Sequence, residues 1–262
     1  MTAGVDEMTD QNSASGIVTA AILVIGDEIL SGRTKDKNIG YIAEYLTAIG
    51  IDLREVRVVP DVEAEIVAAL NALRARYDHI FTTGGIGPTH DDITADSVAK
   101  AFGVGIAVDQ RAVAMLLERI KPEDLNEARL RMARIPDGAT LIPNSVSKAP
   151  GFSIGNVHVM AGVPSIMQAM LDAVAPSLAT GRKMLSRSID AGVKEGDLGT
   201  PFGELQKRYP DVSMGSYPYF DAASGFTTTL VLRARDEGRL AEAAVAVEAM
   251  LAELRKTIAA KG

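Results

Sequence analysis

Cysteine is absent from all 262 residues, which excludes disulfides, thiolate nucleophiles and cysteine-based zinc sites. Histidine occurs only 3 times. His79 and His158 fall inside strand-like apolar runs and read as structural, whereas His90 stands in a loop where it could ligate a metal. Basic residues are outnumbered, 27 Lys and Arg against 34 Asp and Glu, for a net charge of −7. No dense Lys/Arg block interrupts that acidity, so nucleic acid is not an expected partner. Apolar runs of 18 residues are missing too, so no membrane span is expected. The opening MTAGVDEMTDQNSASG lacks an apolar core and reads as a disordered leader over residues 1–16, not a signal peptide. What remains is an ordinary globular composition, 47% hydrophobic and 23% charged, expected in the cytoplasm. Its length suits one large domain and one small.

Within that composition, short apolar runs alternate with helical periodicity. AAILVI (20–25) reads as a strand buried on both faces. A polar loop follows, then Ile39, Ile42, Ala43, Leu46 and Ile49 recur at helical spacing, with Gly50 where a C-cap belongs. IDLREVRVV (51–59) is the next strand. Asp61 is placed to cap a helix carrying Val62, Ile66, Ala69, Leu70 and Leu73. HIFTT (79–83) is a third strand, and Thr94 is placed to cap a helix ending at Phe102 and Gly103. VHVMAG (157–162) and the helical VPSIMQAML add a further strand–helix pair. The order implies a three-layer, doubly wound, mostly parallel α/β sheet over residues 17–182. In such a sheet the loops at 26–38, 60–61, 84–94 and 162–165 leave carboxyl ends and share one rim, where ligands bind. From residue 183 the pattern becomes a small α+β unit: a strand near 185–191, a helix near 198–208, an extended DVSMGSYPYF, a strand at 226–234 and a helix from about Arg239 to Ile258.

The rim loops carry the chemistry. TTGGIGPTHDDIT (82–94) brings flexible glycines beside paired carboxylates, as a phosphate cradle with a metal-binding edge would. It is not a P-loop, because Pro88–Thr89 follow Gly87, nor a dinucleotide fingerprint, because His90 stands where the third glycine belongs. Thr83, Gly84, Gly85, Gly87, Pro88 and Thr89 are candidate ligand contacts, together with Gly26 and Asp27 of GDEILSGRTKDKN. Glu28, Asp61 and Asp92 project from neighbouring strand ends, and three converging carboxylates suit Mg²⁺ or a similar hard cation bridging to phosphate. Asp91 and Asp92 serve equally well as acids at a helix N-terminus, and Asp61 as the cap of its own helix. Asp36 and Asn38 read as capping or coordinating residues, and Arg33 and Lys35 as loop charges or phosphate counter-charges. In IPNSVSKAPGF (142–152), Asn144, Ser145, Lys148 and Gly151 could hold a ligand's polar head. In AGVP, Gly162 and Pro164 open a helix whose amides can meet an anion. GDLG (196–199) has the glycine spacing of a KH-type RNA clamp, but its aspartate and poorly basic surroundings argue against RNA.

GDEILSGRTKDKN, VVPD, TTGGIGPTHDDIT, IPNSVSKAPGF and MAGVPSIMQAML together resemble the MoaB/Mog molybdopterin-binding domain family. The likeness is to the branch found at the front of CinA competence/damage-inducible proteins and of FAD synthases, and RYPDVSMGSYPYF resembles the small KH-like unit that follows it in CinA-type chains. Ser147–Lys148 replaces the Gly-Thr usual in CinA-type chains, nearer the FAD synthase version. The resemblance implies that Asp61 and Asp92 are the functional acids. It also implies either metal-dependent hydrolysis of diphosphate linkages such as those of ADP-ribose or FAD, with Mg²⁺, Mn²⁺ or Co²⁺, or binding and adenylation of molybdopterin. A non-catalytic nucleotide or pterin sensor is the third expectation. A homo-oligomer, dimer or trimer, is implied as well.

Overall fold

Val18–Ile25 forms strand β1, and its alternation of burial explains the layers. Ala20, Ile22 and Val24 enter one apolar cluster, and Ala21, Leu23 and Ile25 enter the other. A strand that is buried on both faces in this way belongs inside a sheet covered by helices on each side. The computed structural model describes residues 16–221 and 225–260. The leader expected over residues 1–16 lies outside the described residues except for Gly16, whose carbonyl accepts the Arg182 amide at 2.9 Å.

The short helix α1 (Asp27–Leu30) interrupts what the sequence suggests is plain loop, and α2 (Asn38–Ile49) follows. Gly50 ends α2 in the left-handed conformation at φ 86°. Strand β2 (Ile51–Val59), helix α3 (Glu63–Arg74), strand β3 (His79–Thr83) and helix α4 (Thr94–Phe102) come next. The following stretch, which carries little periodicity, holds β4 (Ile106–Val108), α5 (Gln110–Leu117), α6 (Glu127–Arg131), β5 (Arg134–Pro136) and β6 (Thr140–Ile142). Strands β7 (Gly151–Ile154) and β8 (Val157–Met160) and helix α7 (Pro164–Val174) complete the unit.

The sheet order is β2-β1-β3-β8-β7-β6. The first four strands are parallel to one another, β7 runs antiparallel to β8, and β6, antiparallel to β7, returns to the common direction. The chain steps from β1 to one side for β2, then crosses to the other side for β3. That reversal makes the carboxyl ends of β1 and β3 the topological switch point, where a crevice opens. Helices α3, α4 and α5 cover one face through Ile66, Leu70, Val98 and Leu116. Helices α2 and α7 cover the other through Ile42, Leu46, Met167 and Leu171.

A second compact unit begins at Lys183. It contains β9 (Leu185–Asp190), α8 (Glu195–Arg208), β10 (Ser213–Asp221), β11 (Gly225–Ala234) and α9 (Glu237–Ala259). Its antiparallel sheet, β10-β11-β9, packs Leu230 and Leu232 against Leu198, Phe202, Leu240 and Val247 of the helices. GDLG lies inside α8, so its two glycines form no clamp loop.

Candidate functional site

Four parallel strands put the loops after β1, β2, β3 and β8 on one rim, and hydrogen bonds lace those loops together. Gly26 N–H donates to Val59 O at 3.1 Å, joining the β1 and β2 ends. Gly84 N–H donates to Met160 O at 3.2 Å, joining β3 to β8. The Asn38 side-chain amide donates to Gly162 O at 2.8 Å, tying the start of α2 to the turn after β8. Asp36 Oδ1 accepts from the amides of Asn38 and Ile39 at 3.0 and 2.8 Å, so Asp36 holds the first turn of α2 from outside it, with Lys37 in the N-cap position.

The glycine loop is shaped by close approach. Gly84 has φ 102°, and a β-carbon there would overlap the carbonyl oxygen of Ile25. Gly85 has φ 67°, and a β-carbon there would overlap the Thr94 hydroxyl. Only glycine supplies both the backbone and the space. Thr94 is the first residue of α4, not its cap, because Ile93 holds the N-cap position. Its hydroxyl instead donates to Gly84 O at 2.9 Å and anchors the loop. Among the described residues, the amides of Gly85, Ile86 and Gly87 have no acceptor, which leaves three backbone donors for an anion.

Asp61 does not cap α3. Val62 occupies that position, and Asp61 Oδ2 accepts the Asp27 amide at 3.0 Å across the rim. Its carboxyl pKa is raised, first by burial and then by the negative charges of Asp27, Glu28 and Asp91, against the opposing Asp27 hydrogen bond. Asp92 faces another way. Its carboxylate accepts from the Thr89 amide and hydroxyl at 2.8 and 2.6 Å and sits beneath Gly87. The expected trio of Glu28, Asp61 and Asp92 is therefore not a preformed cation cage. Among the described residues, no three His, Asp or Glu side chains are arranged to hold a metal ion. Charge repulsion gathers around Asp61 instead, with Asp91 rather than Asp92 completing it. His90 is exposed, 4.0 Å from Asp91.

The second expected binding loop is largely self-satisfied. Asn144 is 5% exposed, and its Oδ1 accepts from Val146 N, Ser147 N and Ser147 Oγ while its amide donates to Ala149 O. Lys148 pairs with Glu118 at 2.7 Å, and Gly151 is buried in β7 against the Val159 carbonyl. Asn144, Lys148 and Gly151 thus build the loop, which leaves Ser145 exposed. Thr83 is 1% exposed at the end of β3, its hydroxyl buried without a partner. Pro88 and Thr89 are exposed on the loop, Gly162 lies against Gly84, and Pro164 is the first residue of α7.

Residues 21–180 match the family described as a probable molybdopterin binding domain. The chain belongs to that family. Residues 183–257 match the middle domain of FAD synthase. A CinA protein of unknown function from Thermoplasma acidophilum is similar at 36% identity and a TM-score of 0.58, covering 62% of this chain and 98% of its own. The molybdopterin biosynthesis enzyme MoaB of Thermus thermophilus is 22% identical over 62% of this chain and 92% of that one, with a TM-score of 0.43. A protein of Pyrobaculum calidifontis is 35% identical over 211 residues, 76% of this chain and 80% of the relative.

One residue beside the glycine loop of this molybdopterin-binding-type domain escapes sequence reasoning. Arg131, at the end of α6, donates from Nη2 to the Asp92 carbonyl at 3.2 Å, and its buried Nε has no partner. Thirty-nine positions separate it from Asp92, and no local motif marks it. No helix among the described residues is long and apolar enough to cross a membrane.

Proposed function

We propose that the domain is a divalent-metal-dependent nucleotide pyrophosphatase acting on diphosphate linkages of the ADP-ribose or FAD type. The observation that carries this reading is Asp61, turned away from helix capping and set among Asp27, Glu28 and Asp91 beside a loop of unpartnered amides. An acid cluster of this kind is repulsive until a cation joins it, and its oxygen donors suit Mg²⁺, Mn²⁺ or Co²⁺. Asp61 and Glu28 would hold the ion, with substrate phosphate oxygens and water filling the remaining positions, as is usual for Mg²⁺. Bound there, the ion supplies charge neutralisation and a more acidic water.

The amides of Gly85, Ile86 and Gly87 orient the phosphate and stabilise the charge that builds on its oxygens, about 2.7–4 kcal/mol per donor in comparable sites. With Asp61 engaged in holding the ion, the proton of the attacking water passes to solvent. The water oxygen bonds to phosphorus, the bridging P–O bond breaks, and two phosphate monoesters result. Asp92 acts by holding Thr89 and hence the loop's curvature.

The test is product analysis with ADP-ribose and FAD in the presence of each of the three metals, and again after chelation. Metal-dependent release of AMP is expected. No release with any metal would overturn the reading in favour of molybdopterin binding, the second reading, which rests on the family description of residues 21–180. A homo-oligomer is part of the proposal, since rim residues of a neighbouring copy can complete an open site.

A further inference from the structure

We propose that Arg131 is the cation that grips the substrate's diphosphate and that the open pocket beside it receives the nucleoside end. This rests on the pyrophosphatase reading and deepens it. Arg131 lines two adjoining cavities. One is a narrow cleft of about 10 Å³, room for a single water, walled by Gly85, Ile86, Gly87, Asp92 and Asp96, so that a diphosphate would lie across its mouth rather than inside it. The other is an open pocket of about 540 Å³ walled by Pro88, Val108 and Leu130. That volume falls in the range of small-molecule sites.

The guanidinium carries five N–H donors, and the only acceptor it reaches among the described residues is the Asp92 carbonyl, at 3.2 Å. Its Nε is shielded from water and unsatisfied. No carboxylate among the described residues is paired with it. The neighbouring bases differ: Arg134, which lines both cavities, is paired with Asp96, and Lys148 is paired with Glu118. A partly shielded guanidinium without an acid is costly until an anion completes it. Phosphate oxygens match its fork in two parallel hydrogen bonds. Pro88, Val108 and Leu130 then offer the apolar surface on which a planar base can lie, and Val108 is 41% exposed despite being apolar.

Binding is measured by calorimetry in chelator, so that no turnover occurs, with ADP-ribose, AMP and adenosine as probes. Wild type, Arg131→Ala and Arg131→Lys are compared, and Arg131→Met, which keeps the apolar stem, replaces Arg131→Ala if that variant does not melt cooperatively. The expected result is a loss of about 10-fold to 100-fold for ADP-ribose in Arg131→Ala, a smaller loss for AMP, none for adenosine, and partial recovery in Arg131→Lys. Equal losses for all three ligands would mean that Arg131 only positions the loop through the Asp92 carbonyl, and unchanged ADP-ribose binding would mean that it does not touch the phosphates. Either result overturns the proposal while the pyrophosphatase reading stands. Wild-type protein that binds none of the three probes without metal overturns the grip by Arg131, while the pyrophosphatase reading stands or falls on the metal-dependent release of AMP.

Discussion

At the scale of single residues, Asp61 illustrates how a carboxylate that works for function differs from one that works for the fold. Its pKa is raised, so the folded state holds a proton more tightly than the unfolded chain does. Stability contributed by that group is present at low pH and is lost as pH rises through the shifted value, so ionised Asp61 disfavours folding at neutral pH. Asp61→Asn keeps an oxygen for the Asp27 amide and removes the repulsion from Asp27, Glu28 and Asp91. Turnover of ADP-ribose should fall by at least about 100-fold, while the melting temperature at pH 7 holds or rises. A drop in both would assign Asp61 to the framework. Asp92→Ala should behave differently, because it frees Thr89 N and Oγ1 as well as removing a charge. Its turnover should be lost together with the loop's order, seen as faster amide exchange at residues 84–92.

At the scale of elements, the switch-point loop depends on backbone fit more than on side chains. Gly84→Ala would place a β-carbon on the Ile25 carbonyl at a positive φ. Since Ile25 ends β1, which is buried from Thr19 onward, neither strand can yield cheaply. A destabilisation of at least about 2 kcal/mol is expected from a urea midpoint, and a wild-type midpoint would show that the loop relaxes freely. The parallel strands, their helices and the shared rim were legible because apolar period and cap residues agree there, as at Ile39, Leu46 and Gly50. The destinations of Asp61 and Thr94 were not, since a residue that can cap its own helix gives no local sign that it will bond across the sheet to Asp27 or Gly84. Asn144 and Lys148 misled in the opposite sense: polar residues in a Pro- and Gly-rich loop look free, yet Asn144 spends both ends of its amide on its own turn. Residues 104–141 gave little signal because their elements are short and partly exposed, and Arg131 lies among them.

Strands β3 and β8 also share a buried polar chain whose protonation opposes the folded state at low pH. Ala179 O must accept from His79 Nε2, which leaves His79 Nδ1 to accept from His158 Nε2 at 3.2 Å, and His158 Nδ1 to accept from Ser153 Oγ at 2.9 Å. This order satisfies every nitrogen with both rings neutral. Burial lowers both pKa values, that of His158 to about 3, with His79 adding to the shift. Between the ordinary value of 6.5 and about 3, the unfolded chain therefore binds protons that the folded one refuses. Stability should fall by about 1.4 kcal/mol per pH unit below pH 6 from His158 alone. Melting temperatures from pH 7 to 4 check this, and His158→Gln should flatten the slope; an equal slope in that variant would place the acid sensitivity elsewhere.

At the scale of the whole molecule, the sequence changes character where the contacts divide, between Arg182 and Lys183. Each side has its own apolar interior: two clusters flank the large sheet, and a separate one joins β9 and β11 to α8 and α9. Every residue with a proposed chemical role, from Gly26 to Gly162 and including Arg131, lies on the large side. A domain with its own core folds on its own, so a chain ending at residue 182 should be soluble, melt cooperatively and keep metal-dependent release of AMP within a few-fold of the full chain. The measurement is a melt and a turnover assay on that fragment beside the intact protein. A folded fragment without turnover would mean that the C-terminal unit supplies part of the site, and residues 183–257, which match the FAD synthase middle domain, would then be the place to seek the missing contact. Retained turnover would leave the small unit free for a separate role.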